Sequence, residues 1–145
     1  GTGYVEGFKK GESMKKEKKA WRLPTLEELI SLVDYSRYNP ALPEGHLFKN
    51  VNASGYWSST TFADNPSSAW FVYFYDGYVG YYGKFYNYYV RCVRGGQIRA
   101  LDYSGERFVL KNGDVLDKKT GLIWQRGTAE PMTWEEAVRY AKDKA

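Results

Sequence analysis

The chain has 145 residues, of which 43% are hydrophobic and 18% aromatic, and its formal net charge is +4 with a pI near 9.0. This length predicts one folded domain, 1–145, and the hydrophobic content excludes a disordered chain. No apolar run approaches the roughly twenty residues that cross a bilayer, no signal-peptide pattern is visible, and the single cysteine excludes an internal disulfide. We therefore expect a domain that does not insert into membranes.

The lead segment 1–20 is rich in lysine, and Glu12 and Glu17 stand between its lysines. Such a charge run is typical of a solvated segment. The alternative is a patch that binds polyanions, because the chain as a whole is basic. The candidate residues of that patch are Lys15, Lys16, Lys18 and Lys19.

Two amphipathic helices are predicted, each beginning with a capping box. Thr25 and Glu28 stand in the S/T-x-x-E relation ahead of an apolar stripe. Thr133 and Glu136 repeat the pattern near the far end of the chain. The predicted buried positions of the second helix are Trp134, Ala137, Val138 and Ala141.

Between the helices the sequence changes to the period of two that is typical of β-strands. The alternation places Trp70, Val72 and Phe74 on the core side. It turns Tyr73 and Tyr75 outward. An Asp-Gly pair follows directly and predicts a two-residue hairpin turn.

Further strands are predicted over 88–94 and on both sides of Asn112-Gly113, a second hairpin signal. With the two helices, these strands predict an α+β domain in which the strands are antiparallel. Large aromatic residues beside apolar neighbours are most often core residues. The predicted core tryptophans are Trp21, Trp57, Trp70, Trp124 and Trp134.

Residues suited to catalysis or metal binding are scarce. His46 is the only histidine and stands in a predicted loop, so neither a Ser-His-Asp triad nor a multi-histidine metal site can be assembled. Cys92 alternates with its neighbours in a predicted strand, as a buried inert thiol does. Asp64, Asn65 and Asp76 are isolated oxygen donors for calcium. We therefore expect no catalytic activity, no metal and no cofactor.

Eight of the 14 tyrosines fall between residues 73 and 89. Tyrosine is a poor core filler because a buried hydroxyl needs a hydrogen-bond partner, whereas its rigid amphipathic ring suits binding surfaces. One interpretation is an exposed ligand-binding surface, and the other is an aromatic ladder that stabilises the sheet through cross-strand pairs. The predicted ligand-binding residues are Tyr73, Tyr75, Asp76, Tyr78, Tyr81, Tyr82, Lys84, Tyr86, Asn87 and Tyr88.

Six short words of the sequence, "WRLPTLEEL", "YWSSTTF", "AWFVYF", "YVRCVR", "TGLIWQR" and "MTWEEAV", together resemble the Lcl C-terminal domain family, which is named after a bacterial collagen-like adhesin. The resemblance covers nearly the whole chain outside the lead segment. It implies a C-type-lectin-like fold with two helices and a twisted antiparallel sheet. The calcium-binding words of sugar-binding C-type lectins do not occur, so the resemblance does not imply calcium-dependent sugar binding.

The order of the two halves differs from that family. There the half with "TGLIWQR" and "MTWEEAV" comes first, whereas here 97–145 follows 21–96. The chain therefore resembles either a circular permutant or a segment cut from a tandem array. The halves then close within one chain or pair between copies, as in a homo-oligomer or a domain swap, and the sequence leaves both arrangements open.

The stretch from Tyr73 to Tyr89 also resembles the variable region of proteins diversified by retroelements, in which mutation of adenines turns asparagine codons into those for tyrosine, aspartate and serine. We predict a non-enzymatic binding module at a cell surface or in secreted form, which recognises a protein or glycan on another cell or virus. By resemblance to the adhesin, sulfated glycans are one candidate ligand. The alternatives are a structural unit of a tandem surface array and a binder of single-stranded nucleic acid, which we rank below surface adhesion.

Overall fold

The computed structural model describes residues 20–96 and 98–145. They form two β-sheets and two α-helices, which confirms the predicted α+β class. The elements in chain order are α1 (Leu26–Ile30), β1 (Gly55–Thr61), β2 (Ser68–Tyr73), β3 (Tyr78–Gly83), β4 (Tyr88–Val90), β5 (Val93–Arg94), β6 (Phe108–Lys111), β7 (Asp114–Asp117), β8 (Ile123–Trp124), β9 (Ala129–Met132) and α2 (Trp134–Asp143).

The larger sheet has the strand order β3-β2-β1-β4-β9, and the smaller sheet has the order β5-β8-β7-β6. Neighbouring strands are antiparallel except β1 and β4, which run parallel. Strands β4 and β5 come from the first half of the sequence and pair with β9 and β8 from the second half. The two halves therefore contact each other within one chain. No helix in the described part of the chain is long and apolar enough to span a membrane.

Both predicted capping boxes form. The Thr25 hydroxyl accepts from the Glu28 N–H, and the Glu28 carboxylate accepts in return from the Thr25 N–H at 2.8 Å. Thr133 and Glu136 make the same reciprocal pair at the start of α2. Of the predicted stripe on α2, Ala137 and Ala141 are buried and Trp134 is half-buried. The prediction was wrong for Val138, which is 37% exposed because α2 buries only a narrow stripe against the sheet.

Hydrophobic residues pack on both faces of the larger sheet. The cross-strand partners Tyr56 and Val72 belong to a cluster that includes α1 and the smaller sheet. The adjacent partners Trp57 and Phe71 point the other way and belong to a second cluster, which includes Ala137 of α2. Because side chains alternate along a strand, the three inner strands β1, β2 and β4 contribute to both clusters. The alternation predicted for β2 is thus correct, but the face of the sheet that was predicted to be exposed is also partly covered, by α2.

The tryptophans do not all lie in the core. Trp21, Trp57 and Trp124 are buried as predicted. Trp70 and Trp134 are half-buried, so the prediction that they are core residues was wrong in degree. Trp70 lies in β2, and Trp134 is the first residue of α2.

The segment 88–94, predicted as one strand, contains a break. The chain leaves the larger sheet after Val90 and enters the smaller sheet at Val93. Arg91 and Cys92 lie at the crossing, and both are buried. This crossing therefore joins the two sheets, as does the loop 125–128 between β8 and β9.

The two predicted hairpin turns have different outcomes. Asn112 and Gly113 both have positive φ and form the predicted two-residue turn between β6 and β7. The loop between β2 and β3 has four residues, 74–77, so the predicted two-residue turn at Asp76-Gly77 was wrong. The reason is tertiary, because the segment 39–41 donates main-chain hydrogen bonds to the carbonyls of Tyr75 at 2.6 Å and Phe74 at 2.8 Å.

Candidate functional site: an aromatic surface on the larger sheet

The predicted tyrosines lie on both faces of the larger sheet. Residues directly opposite each other in antiparallel strands point to the same face. Tyr73 is opposite Tyr78, and Ala69 is opposite Tyr82, on the face where α2 packs. Trp70 is opposite Tyr81 on the other face. The ten predicted residues therefore do not form one continuous site, and three separate groups can be described.

The first group, which we call the aromatic row, crosses the face of the sheet beside α2. It comprises Tyr78, Phe71, Tyr88, Tyr82, Tyr86 and Phe85, in order of contact. Successive ring centroids are 6.3, 4.7, 6.3, 4.1 and 4.6 Å apart. Tyr88 is fixed most firmly, because it stacks on Phe71 and meets the edge of Trp57 at 4.9 Å. Such offset and edge contacts are the favoured geometries of aromatic pairs.

Three glycines lie directly beneath four rings of the aromatic row. A Cβ on Gly55 would lie 2.5 Å from the Tyr88 ring, and one on Gly83 would lie 2.6 Å from the Phe85 ring. A Cβ on Gly80 would lie within 3.0 Å of both Tyr78 and Phe71. Any other residue at these positions would displace a ring, so the glycines allow the rings to lie close to the backbone of the sheet.

The hydroxyls of Tyr86 and Tyr88 have raised pKa values. A hydrogen bond to the Tyr82 hydroxyl is the main cause that raises the pKa of Tyr86. Burial is the main cause that raises the pKa of Tyr88, and its tyrosine neighbours add to the shift. Both shifts favour the neutral form of the hydroxyl.

The second group, which we call the hairpin-end group, surrounds the loop between β2 and β3. Tyr73 and Tyr75 stack at 6.1 Å, and Tyr38 approaches Tyr75 at 6.2 Å. Tyr35 lies against Gly77 and donates a hydrogen bond from its hydroxyl to the Gly77 carbonyl at 3.1 Å. All four tyrosines are exposed.

Sequence reasoning missed Tyr35 and Tyr38, because they lie in a segment that was predicted only as a loop. Their side chains are 64% and 73% exposed, more than any tyrosine that was predicted. The available signal was their residue type, since tyrosine in a polar loop is a common feature of binding surfaces.

The third group lies on the opposite face of the sheet. Tyr81 stacks on Phe62 at 3.8 Å, and both rings meet Trp70 edge-on at 5.4 Å. Tyr81 is thus separated from the aromatic row by the thickness of the sheet. Its role in packing beside Trp70 agrees with the cross-strand ladder that was the alternative interpretation of the tyrosines.

The polar residues of the predicted site are mostly engaged within the chain. Asp76 accepts a hydrogen bond from the Tyr78 N–H at 3.0 Å. Lys84 donates to the Thr61 hydroxyl at 3.0 Å, and its ammonium lies 4.1 Å from the centre of the Trp134 ring. Asn87 is exposed. The four candidate lysines of the lead segment lie outside the described residues.

Sequence reasoning also missed Phe85, which is 72% exposed at the end of the aromatic row. The prediction of the site rested on tyrosines and their polar neighbours, so a phenylalanine among them was left out. The signal that could have identified it is its position between Lys84 and Tyr86, in a polar turn without apolar neighbours. A large apolar side chain that is exposed next to other exposed rings, as Phe85 is next to Tyr86, is a common feature of interaction sites.

The residues first considered for catalysis have structural surroundings. The Nδ1 of His46 accepts a hydrogen bond from the Phe48 N–H at 3.0 Å, and burial is the main cause that lowers the pKa of His46. Burial raises the pKa of the Cys92 thiol to about 12. A cavity of about 10 Å³, lined in part by Phe48, Tyr56 and Arg91, has room for about one water molecule. Among the described residues, no group of three or more histidine, cysteine, aspartate or glutamate side chains is arranged to hold a metal ion.

Comparison with known proteins gives one match. The family model of the Lcl C-terminal domain matches residues 2–94, which is more than half of the chain. The searches of curated proteins and of solved structures found no match. The matched region includes the lead segment and ends before "TGLIWQR" and "MTWEEAV", so the expected coverage was wrong at both ends. Because the match spans most of the chain, this protein belongs to the Lcl C-terminal domain family.

Proposed function

We propose that this domain is a non-catalytic binding module of the surface-adhesin type, which recognises a protein or polysaccharide through its aromatic surface. The observation that carries the proposal is the exposure of Tyr78, Tyr82, Phe85 and Tyr86 side by side on one face of the sheet. A domain gains nothing in solubility from such a surface, and large exposed aromatic patches commonly mark interaction sites. Membership of the Lcl C-terminal domain family supports a surface or binding role.

The mechanism of binding would be burial of exposed rings against the ligand. Each ring is held by its neighbours, and four of the six also lie over a glycine, so little rotamer freedom is lost when a ligand covers them. Tyr82 and Tyr86 lie between Tyr88 and Phe85, with centroids 4.1 Å apart. Tyrosine is among the residues most frequent at binding hot spots.

The proposal includes a C-type-lectin-like fold, a location at a cell surface or in secreted form, and a ligand on another cell or virus. These elements rest on the family resemblance and on the α+β architecture. They do not require calcium, since the proposed contacts are aromatic.

The proposal also includes diversification of the stretch 73–89. The arrangement supports this idea in part, because side chains such as Tyr78, Tyr82 and Tyr86 are exposed and can change without altering the core. Gly80 and Tyr88, by contrast, hold the rings of the row in place. Diversification would therefore have to spare these two positions, and the test is a search of the neighbouring DNA for a template repeat whose adenines fall only in the codons of exposed residues.

The experiment that tests the proposed function compares the parent chain with a Tyr78→Ala/Tyr82→Ala/Tyr86→Ala variant. Both are applied to a glycan array and to intact cultured epithelial and bacterial cells, at low and moderate salt. We expect the parent to bind and the folded variant to lose most of its binding, with only a partial effect of salt. If both proteins bind equally and salt abolishes the binding, the lysines of the chain bind a polyanion such as a nucleic acid, and the tyrosines are not the binding site. A matched control is Tyr103→Ala, which removes an exposed tyrosine outside the three groups.

A unit of a tandem surface array is the second candidate, and one observation favours it. Strand β3 lies at the edge of the larger sheet, pairs in regular register along all six residues, and contains neither a charge nor a proline. Natural edge strands usually carry such features to prevent pairing with another chain. Association of copies at micromolar concentration, abolished by Tyr82→Lys, would support the array function, whereas a monomer at all concentrations would exclude it.

A further inference from the structure

Phe85 projects from a tight turn at the end of the aromatic row. The Tyr86 N–H donates to the Gly83 carbonyl at 3.0 Å, which closes the turn. The Phe85 ring lies above Gly83 and 4.6 Å from the Tyr86 ring. The ring is thus held in one place while 72% of the side chain remains exposed.

The surroundings of Phe85 offer few hydrogen bonds to a ligand. The ammonium of Lys84 is turned back toward Trp134 and Thr61. The hydroxyls of Tyr82 and Tyr86 are hydrogen-bonded to each other, and the Phe85 side chain has no polar atom. Asn87 is the nearest exposed amide along the chain.

This chemistry favours one class of ligand. A sugar presents hydroxyls on most of its surface, and a site that binds it needs several polar groups to replace the water that is lost. A protein surface can instead offer an uncharged apolar pocket, and an aromatic side chain that fills such a pocket is the usual anchor of a protein interface. An uncharged projecting ring complements an uncharged pocket.

We propose that the ligand of the aromatic row is a protein, and that Phe85 is the anchor that inserts into an apolar pocket of this partner. The proposal rests on the proposed function, which it deepens by naming the class of ligand. Tyr82 and Tyr86 form the wall beside the anchor, and Gly83 sets the direction of the Phe85 ring.

The test uses the whole chain, labelled with a fluorophore, and cultured epithelial and bacterial cells as the probe. The variants are Phe85→Ala, Phe85→Tyr and Gly83→Ala, with Leu110→Ala as the control. Leu110 is an exposed apolar residue of the smaller sheet, away from the aromatic row. Cells are used untreated, digested with trypsin, or oxidised with periodate, and near-UV circular dichroism verifies that each variant is folded.

We expect Phe85→Ala to weaken binding by roughly tenfold or more, as removal of an interface anchor does, and Leu110→Ala to leave it unchanged. Phe85→Tyr should also weaken binding, because its hydroxyl would enter an apolar pocket without a partner. Gly83→Ala should do the same by displacing the ring, since its Cβ would lie 2.6 Å from the Phe85 ring. Trypsin should remove the binding sites and periodate should leave them.

The outcomes separate the two proposals. If the parent binds but Phe85→Ala binds equally well, or if periodate alone removes the binding sites, the ligand is not a protein anchored by Phe85 and only this inference fails. Tighter binding of Phe85→Tyr than of the parent, as a sugar ligand would favour, overturns this inference in the same way. If the parent binds neither cells nor the glycan array, the proposed function fails and the inference fails with it.

Discussion

Arg91 is buried at the crossing between the two sheets, with only 5% of its surface exposed. Its Nη1 donates to the carbonyls of Gln125, Arg126 and Gly127 at 3.0, 2.5 and 2.7 Å, and its Nη2 donates to the Thr128 hydroxyl at 2.7 Å. One guanidinium thus satisfies most of the loop that joins β8 to β9. We predict that Arg91→Met breaks these bonds, leaves the carbonyls of Gln125 and Gly127 without a partner, and strongly destabilises the fold.

The magnitude follows from opposing contributions. Each buried acceptor that loses its partner costs about 1–3 kcal/mol. Two carbonyls lose theirs, because the Arg126 carbonyl still accepts from the Lys49 N–H at 2.8 Å and the Thr128 hydroxyl still bonds the Tyr56 hydroxyl at 2.9 Å. Methionine offsets part of the cost, because no charge has to be buried, and it is this burial that lowers the pKa of Arg91. We therefore expect the free energy of unfolding to fall by about 3 kcal/mol, a large share of the roughly 5–15 kcal/mol of a typical domain.

The assay is urea unfolding followed by tryptophan fluorescence, with Arg139→Met as the control on the exposed side of α2. Arg139→Met should change the free energy of unfolding by less than about 0.5 kcal/mol. Arg91→Lys should be intermediate, because an ammonium is a single point that cannot span the same acceptors. A loss below about 1 kcal/mol for Arg91→Met would refute the reasoning, since the acceptors would then find other partners at little cost.

Three further predictions concern single sites. Burial lowers the pKa of His46 in the folded state. The stability contributed by neutral His46 is therefore complete above the unfolded-state pKa and is lost as the pH falls through the folded-state pKa. Between pH 7.5 and 5, urea unfolding should show a smaller loss of stability for His46→Asn than for the parent. The Cys92 thiol, whose pKa is about 12, should not react with an aromatic disulfide reagent at pH 8 until the chain is unfolded in urea. Gly55→Ala should displace the Tyr88 ring, alter the near-UV circular dichroism and lower the free energy of unfolding by about 1–3 kcal/mol, whereas Gly105→Ala, an exposed change with no atom within 4 Å, should leave the near-UV spectrum as it is.

Local signals in the sequence predicted local structure well. The capping boxes at Thr25 and Thr133 depend on residues three positions apart, and the Asn112-Gly113 turn depends on its own two residues. Such features are encoded where they form, because the atoms that bond are neighbours along the chain. They were identified without knowledge of the rest of the fold.

The errors arise where distant segments decide the structure. The Asp76-Gly77 turn is opened into a longer loop because 39–41 bonds to its backbone. The same approach brings Tyr38 to Tyr75, which no periodicity within 70–78 could reveal. The role of Arg91 depends on carbonyls more than thirty positions later in the chain. Contacts of this kind are set by topology, and a single sequence carries no direct signal of them.

The sequence predicted most of the residue types of the candidate site, but it did not predict on which face of the sheet each residue lies. Alternation correctly predicted that Tyr73 and Tyr75 are exposed, but it could not show that Tyr81 lies on the face of Trp70, opposite to that of Tyr82. Which face of a sheet remains open depends on where α2 lies, and that depends on the other half of the sequence. The ladder interpretation therefore fits Tyr81, whereas the binding interpretation is proposed for the exposed tyrosines of the aromatic row.

The division between these two roles follows from the neighbours of each ring. Tyr81 is 51% exposed, but it stacks on Phe62 and meets the edge of Trp70, so it contributes to packing on its own face. Tyr82 and Tyr86 contact each other within the aromatic row on the opposite face. Removal of Tyr81 should therefore act mainly on stability, and removal of Tyr86 mainly on the proposed binding. Because successive side chains of β3 point to opposite faces, the packing of Tyr81 fixes the strand that presents Tyr82 to the proposed ligand.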